Sequence, residues 1–211
     1  MPSETKYPRI WIAAHGGPLK VAAAEDTPPA ILAVLAGDTN FEVRWQVARN
    51  PSTPAEVLRK LAQDSDGVVR RLVAENPSTP TEALRKLADD VDSDVRRGVA
   101  KHPGTPAEVL RKLADDDYWH VRRVVAKNPN TPAEALRLLA DDDVGVRSRV
   151  AKNPNTPVEV LYELADDNEY IVRKGVARNP STPVEVLREL ADDENEVVQK
   201  QATKNLKRAQ A

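Results

Sequence analysis

Apolar residues recur along the chain in a block of about 26 residues that contains two separate helical patterns. In the copy at 105–128, Leu110, Leu113 and Ala114 have the spacing i, i+3, i+4, which is the apolar stripe of a helix about three turns long. After an acidic stretch, a second apolar run at 121–126 fits a helix of roughly two turns that is 3₁₀ in part. The block therefore predicts a longer first helix, an acidic turn and a short second helix.

A proline-rich corner separates each block from the next. Its sequence is Asn-Pro-Ser-Thr-Pro or a close variant, and Pro disfavours helical geometry in the residue before it, so the second helix should end here. The Thr-Pro-x-Glu that follows matches a capping box, with Thr as N-cap, Pro at N1 and Glu at N3 of the first helix. The copies of the corner begin at Asn50, Asn76, His102, Asn128, Asn153 and Asn179, in steps of 26, 26, 26, 25 and 26 residues.

A fixed period of this length is typical of stacked repeats, each of which buries its apolar face only against its neighbours. We expect an N-terminal capping segment at 1–26, a solenoid of about seven repeats at 27–205 and a polar tail at 206–211, with one residue deleted in the acidic turn at 141–145. Copies this alike would also fit a consensus-based engineered array, although the irregular N-terminal segment and the 25-residue step argue against it. The seven first helices are expected to begin at Pro29, Ala55, Thr81, Ala107, Ala133, Val158 and Val184.

Composition bounds the classes of function. The 211 residues include 31 Lys and Arg against 33 Asp and Glu, a formal net charge of −2, so overall charge favours neither a nucleic-acid nor a membrane partner. There is no Cys, which excludes disulfides, thiolate metal sites and Cys nucleophiles. No apolar run approaches the ~20 residues needed to cross a bilayer, and the N-terminus lacks the apolar stretch of a secretion signal. We expect a soluble, cytoplasmic protein.

One copy of the repeat shows a pattern of apolar, corner and acidic positions in Val121, Arg122, Val125, Ala126, Asn128, Pro129, Thr131, Pro132, Leu136, Leu139, Ala140 and Asp142. This pattern resembles the repeats of the leucine-rich repeat variant family, and the resemblance covers about residues 27–205. It implies an all-α fold, a right-handed superhelix of alternating α- and 3₁₀-helices, and a general role in macromolecular interaction. The Asp…Val-Arg turn is also similar to that of HEAT repeats. Some family members carry a Cys-rich iron–sulfur segment, which this Cys-free chain does not have.

Two charged positions are constant from copy to copy. An Asp stands three residues after the last Leu of each first helix. An Arg comes directly after the first Val of most second helices. A carboxylate and a guanidinium kept in register favour an ion-pair ladder between neighbouring repeats over ligand binding. The corner Asn is expected to hydrogen-bond backbone groups of the corner. The ladder positions are Asp38, Asp64, Asp90, Asp116, Asp142, Asp167 and Asp193, with Arg44, Arg70, Arg96, Arg122, Arg147 and Arg173.

Variable positions are the better candidates for contact with a partner. The residue after the ladder Arg is mostly basic, and the few aromatic residues gather near the starts of second helices. Residues 118–120 fit either a contact cluster or a local cover over the repeat core. The predicted partner-binding residues are Trp45, Arg71, Arg97, Tyr118, Trp119, His120, Arg123, Tyr170 and Lys174.

The sequence offers little for catalysis. The three His residues, His15, His102 and His120, are scattered and lack the spacing of metal ligands. The His-Gly-Gly at 15–17 fits a terminal turn, because no nucleophile elbow accompanies it. We therefore expect no catalytic residues, no cofactor and no metal. The predicted function is a non-enzymatic binding or scaffold protein with a protein partner; the alternative is a nucleic-acid-binding solenoid that uses the Arg/Lys stripe of the short helices.

Overall fold

The computed structural model describes residues 6–209, and within this range the chain consists of helices and turns without a strand. Most of the helices follow one another in pairs, one pair to a repeat. Their bounds are α1 Lys6–Ala14, α2 Pro18–Ala23, α3 Pro29–Leu35, α4 Phe41–Arg49, α5 Ala55–Leu61, α6 Gly67–Glu75, α7 Thr81–Leu87, α8 Ser93–Lys101, α9 Ala107–Leu113, α10 Trp119–Lys127, α11 Ala133–Leu138, α12 Val144–Val150, α13 Val158–Ala165, α14 Tyr170–Arg178, α15 Val184–Ala191 and α16 Glu196–Ala209.

The predicted helix lengths are wrong. The odd-numbered helices from α3 to α15 are the first helices of their repeats, and the even-numbered ones from α4 to α16 are the second helices. The first helix α9 has 7 residues, whereas the second helix α10 has 9 and is α-helical. Within residues 6–209 the 3₁₀ conformation occurs at Leu139–Asp141, where it extends the first helix α11.

Acidic and amide side chains of the turn cap the second helices α4, α6 and α8. The carboxylate of Asp66 accepts hydrogen bonds from the N–H groups of Val68 and Val69 (2.9 and 3.0 Å), so α6 begins at the next residue, Gly67. Asn40 caps α4 in the same way through the N–H of Glu42. These side chains therefore serve the N-terminus of the following helix.

The predicted capping box at Thr-Pro is also wrong. The carbonyl of Pro54 accepts the first helical bonds of α5, from Val57 and Leu58, which makes Pro54 the N-cap and places Thr53 outside the helix. The hydroxyl of Thr53 instead donates to the carbonyl oxygen of Val47 at 2.6 Å. Thr53 thus gives the Val47 carbonyl, which also accepts from the N–H of Asn50 (3.1 Å), a second donor at the end of α4, and it ties the second helix of one repeat to the first helix of the next.

Leucines of the first helices and valines of the second helices form the core. In the repeat built from α5 and α6, Leu58, Leu61, Val69 and Val73 are at most 2% exposed. Complete burial of a side chain of this kind contributes about 1.5–3 kcal/mol. Successive second helices also pack on one another, α4 with α6 and α6 with α8, and likewise α10 with α12, α12 with α14 and α14 with α16.

The chain divides into two compact units, Met1–Thr105 and Pro106–Ala211. Each unit, in its described part, is a stack of two-helix repeats, which confirms the predicted all-α solenoid. The predicted capping segment contains α1 and α2, and its residues 1–5 lie outside the described residues. Residues 206–209 of the predicted tail continue α16, and residues 210 and 211 lie outside the described range. No helix within 6–209 has the length and apolarity needed to span a membrane.

Candidate interaction surface

An arginine of the second helix reaches the acidic turn of the following repeat. Arg44 binds Asp64 through Nε (2.7 Å) and Nη2 (3.0 Å), and Arg70 binds Asp90 in the same bidentate way (2.6 and 3.0 Å). In the second unit the same contacts join Arg122 to Asp142, Arg147 to Asp167 and Arg173 to Asp193. These five pairs are named the Arg–Asp ladder here. The ion pairs between neighbouring repeats that the sequence predicted are therefore confirmed.

The groups of this ladder are well enclosed. The side chain of Arg70 is 15% exposed and that of Asp90 is 7% exposed. The Nη1 of Arg70 also donates to the carbonyl oxygens of Asp64 (2.8 Å) and Ser65 (3.2 Å) of its own turn. The hydrogen bond with Asp90 raises the pKa of Arg70. Burial alone would raise the pKa of Asp90, but hydrogen bonds from Arg70 and from the N–H of Asp92 outweigh it and hold that pKa below its ordinary value. Both groups are therefore charged at neutral pH.

The corner asparagines form a second set of links between repeats. The Nδ2 of Asn76 donates to the carbonyl oxygens of Ala48 (2.7 Å) and Asn50 (2.9 Å) in the preceding repeat. Its Oδ1 accepts from the N–H of Ser78 at 2.9 Å, which closes the corner. The expected bonds between Asn and corner backbone are confirmed. The Nδ2 groups of Asn50, Asn153, Asn179 and Asn205 reach the preceding repeat in the same manner.

His102 takes the place of Asn at one corner and makes equivalent bonds. Its Nε2 lies 2.9 Å from the carbonyl oxygen of Asn76, and its Nδ1 accepts from the N–H of Gly104 at 3.0 Å. These partners require the neutral imidazole with the proton on Nε2. Burial lowers the pKa of His102, against the opposing effect of the Asn76 carbonyl. His102 therefore belongs to the scaffold.

The Arg–Asp ladder and the corner asparagine bonds leave one face of the second helices to variable side chains. Two positions lie on this face, five residues and one residue before the corner Asn or His, because residues four apart share a helical face. We call it the second-helix face. Its members at the earlier position are Trp45, Arg71, Arg97, Arg123, Ser148, Lys174 and Lys200, and at the later position Arg49, Glu75, Lys101, Lys127, Lys152, Arg178 and Lys204.

In the first unit, the predicted binding residues are engaged within the protein. The indole Nε1 of Trp45 donates to the carboxylate of Asp66 in the next turn at 3.1 Å, and this hydrogen bond lowers the pKa of Asp66. Trp45 also contacts Phe41 edge to face, with ring centroids 4.8 Å apart. The arginines of this face form ion pairs within their own helices, Arg71 with Glu75 at 3.6 Å and Arg97 with Asp94 at 3.0 Å. The charges of Arg71 and Arg97 are therefore paired within their own helices.

In the second unit, the structure brings four predicted residues together at the start of α10. Tyr118 is the N-cap and Trp119 the first helical residue, and their side chains are 51% and 49% exposed. The ring of His120 lies 5.5 Å from that of Tyr118 and 6.1 Å from that of Trp119. The Nε2 of His120 is enclosed without a hydrogen-bond partner among the described residues. The guanidinium carbon of Arg123 lies 6.0 Å from the Trp119 ring centroid, at the outer range of a cation–π contact.

The helix α14 repeats this arrangement with Tyr170 and Lys174. Tyr170 is its first residue and is 45% exposed, and Lys174 follows four residues later on the same face. Sequence reasoning did not place Arg149, Lys152 and Arg178 in a site, although the positive charges of Arg149, Arg178 and Lys174 all act on Lys152. Their signal is present in the sequence as basic residues at the corner-proximal end of consecutive second helices.

The geometry suits binding through charge and aromatic contact. The described residues contain no group of three or more His, Asp or Glu that could hold a metal ion.

His15, at the end of α1, stacks on Trp11 with ring centroids 3.9 Å apart, and its Nδ1 lies 2.8 Å from the Trp11 carbonyl oxygen. This local contact fits the predicted terminal turn at 15–17, where Gly16 and Gly17 have φ of 94° and 90°.

Two-helix repeats joined by in-register Arg–Asp and Asn–backbone links define a helical repeat protein of the α-solenoid class. Comparison of sequences identifies the family within this class. The chain belongs to the leucine rich repeat variant family, whose sequence model matches residues 41–66, 67–92, 94–117, 119–144 and 171–195. No curated protein matches the chain.

Solved structures similar to the chain include a leucine-rich repeat variant. A structure described as a leucine-rich repeat variant with a novel repetitive protein structural motif is 28% identical, covers 89% of this chain and 85% of its own, and has a TM-score of 0.53. An engineered protein at 22% identity covers 92% of this chain and 73% of its own, with a TM-score of 0.45. A designed armadillo repeat protein at 18% identity covers 85% of this chain and 99% of its own, with a TM-score of 0.40.

Proposed function

We propose that the protein is a non-enzymatic binding scaffold that presents its second-helix face to a protein partner. One observation carries this proposal. The polar residues that repeat between copies are occupied by contacts between repeats, as in Arg70 with Asp90 and Asn76 with Ala48, whereas the variable residues of the second helices, apart from the buried Ser148, are at least partly exposed on one face. Solenoids commonly bind partners on such extended surfaces.

The aromatic residues of the second unit are the strongest candidates for direct contact. Large exposed apolar side chains are costly to leave in water, and aromatic residues and Arg are enriched where binding energy concentrates. Trp119 and Tyr170 stand at equivalent positions of α10 and α14, each with a basic residue four positions later. The remaining predicted residues, Trp45, Arg71 and Arg97, have contacts within the first unit.

Site-specific photo-crosslinking tests this proposal. A benzophenone amino acid replaces Trp119 or Tyr170 on second helices, and the matched control replaces Tyr162 on the first helix α13, which is 44% exposed against 49% and 45%. Irradiation in the cells of origin should give discrete protein adducts at Trp119 and Tyr170 and none at Tyr162. Equal adducts at Tyr162, or no protein adduct at either second-helix position, would contradict the proposal.

Nucleic acid is the second candidate, favoured by the run of basic residues on α10, α12 and α14. Retention of single- or double-stranded nucleic acid on a filter at low salt, with steep loss as salt rises, would support it. The paired arginines of α6 and α8 weigh against it, because a phosphate backbone needs an uninterrupted basic track.

A further inference from the structure

Lys152 and the four cations that act on it come from three consecutive second helices of the second unit and the turn after one of them. Arg123 is on α10, Arg149 is on α12 with Lys152 just beyond its end, and Lys174 and Arg178 are on α14. We call them the cationic cluster. None of the five forms an ion pair with a carboxylate of the described residues, whereas Arg71 and Arg97 of the first unit do. Their charges are therefore available to a ligand.

Two glycines bring these side chains close to the neighbouring helices. At Gly175 of α14, an added Cβ would lie 2.7 Å from the Cβ of Ala151 and 3.4 Å from the Cγ of Lys152, so the stem of Lys152 runs against α14. At Gly145 of α12, an added Cβ would lie 3.9 Å from the Cδ of Arg123, so that side chain extends over α12. The charged ends of adjacent repeats thus converge on one patch.

The environment of Lys152 reflects this convergence. Partial burial lowers the pKa of Lys152, and the positive charges of Arg149, Arg178, Lys174 and Arg123 lower it further. Cations held this way repel one another in the free protein. A bound anion removes that repulsion, so the fold itself favours anion binding at this patch.

This inference rests on the proposed function, because the ligand of the cationic cluster is taken to be a part of the protein partner. We infer that the cationic cluster receives an acidic segment of the protein partner, a run of Asp and Glu side chains flanked by apolar residues that contact Trp119 and Tyr170. The two aromatic side chains begin α10 and α14, each four residues before a member of the cluster, so charge and apolar surface are adjacent.

A short acidic peptide fits better than a nucleic acid. The patch covers three second helices, and in the first unit Glu75 and Asp94 pair with Arg71 and Arg97 of the same helical face. A few carboxylates beside apolar residues match a cluster of this size, whereas a phosphate backbone would extend past it.

Fluorescence anisotropy with defined probes tests this inference on the full chain. The probes are a labelled twelve-residue peptide of alternating Glu and Gly, its Gln-Gly counterpart, and a single-stranded DNA 12-mer. The test variant is K152Q/K174Q/R178Q, and the matched control R71Q/R97Q removes charge from the same face of the first unit. Circular dichroism establishes that both variants are folded.

The unmodified protein should bind the Glu peptide at low salt more tightly than the Gln peptide or the DNA. Loss of three charges, each worth roughly two- to fivefold, should weaken binding by about tenfold or more in the test variant, and the control should change it by less than about twofold. Equal affinity of the test variant and the unmodified protein, tighter binding of DNA, or no binding of the Glu peptide would overturn the inference.

The two proposals fail in different ways. Crosslinks at Trp119 and Tyr170 without binding of the Glu peptide would overturn the acidic segment and leave the protein-binding face standing. Absence of crosslinks, with the Glu peptide bound, would overturn the protein-binding face and with it the identity of the occupant.

Discussion

Removal of one partner of an enclosed Arg–Asp pair should destabilise the protein far more than removal of a partner from an exposed pair. In the variant Arg70→Met the aliphatic stem is retained, and the cation that binds Asp90 at 2.6 and 3.0 Å is lost. The carboxylate of Asp90, whose side chain is 7% exposed, then retains the N–H of Asp92 at 3.0 Å. The carbonyl oxygens of Asp64 and Ser65 also lose the donor that Nη1 supplied.

The magnitude follows from the burial of the charge that is left behind. Breaking a buried ion pair on one side costs about 3–5 kcal/mol. Arg96 still contributes positive charge near Asp90, and the pair is not fully enclosed, so we expect a loss of about 2–4 kcal/mol for Arg70→Met. The control is Lys200→Met, because Lys200 pairs with Glu196 at 2.8 Å while both side chains are at least 75% exposed. That change should cost less than about 0.5 kcal/mol.

Urea unfolding followed by circular dichroism measures both variants, with comparison of the slopes to detect repeats that unfold separately. The pH dependence gives a second readout. The folded pKa of Asp90 lies below its unfolded value of about 3.9, so its contribution is present above that value and is lost as pH falls through the folded pKa. The difference between the unmodified protein and Arg70→Met should therefore shrink in acid. A cost at neutral pH equal to that of Lys200→Met would refute the reasoning.

Three further predictions concern single positions. Burial lowers the folded pKa of His102, so the unmodified protein should lose stability as pH falls below about 6.5. The variant His102→Asn should reduce the pH dependence of the urea unfolding midpoint between about pH 7 and 5. An unchanged pH dependence in this variant would contradict the prediction. Gly175→Ala places a Cβ 2.7 Å from that of Ala151 and should destabilise by about 1–3 kcal/mol, while Gly145→Ala, with its nearest neighbour at 3.9 Å, should be neutral or stabilising in the same urea assay; similar effects would rule out close packing as the cause. Trp119→Ala should shift the Tm by less than about 2 °C in calorimetry, because the side chain is 49% exposed, and a large drop would identify it as core.

The repeat and its ladders could be predicted from the sequence because each depends on residues at fixed separations. The spacing of Leu58 and Leu61 alone predicts a buried stripe. The constant register of Arg and Asp between copies predicts an ion pair between one repeat and the next. The helix ends could not be predicted as well. Thr53-Pro54 matches a capping box locally, but its hydroxyl binds Val47 of the preceding helix, a contact that depends on how the corner turns.

The candidate site was predictable only in part, for the same physical reason. Trp45 occupies the position of a basic residue, yet its indole reaches the turn carboxylate of Asp66 in the following repeat. Lys152 and Arg178 stand 26 residues apart, and their shared patch depends on Gly175 allowing α14 to lie close to α12. A pattern along one chain indicates which face a residue occupies, but not how far its side chain extends over the next helix.

Net charge is a poor guide to what this fold binds, because the Arg–Asp ladder contains equal numbers of positive and negative charges. Every pair of the Arg–Asp ladder adds one positive and one negative charge and cancels within the total of −2. On the proposed binding face, Glu75 and Asp94 pair with Arg71 and Arg97, whereas the cations of the cationic cluster have no carboxylate partner among the described residues. An acidic protein can therefore bear a basic site, and selectivity for a partner follows from where the variable positions carry unpaired charge.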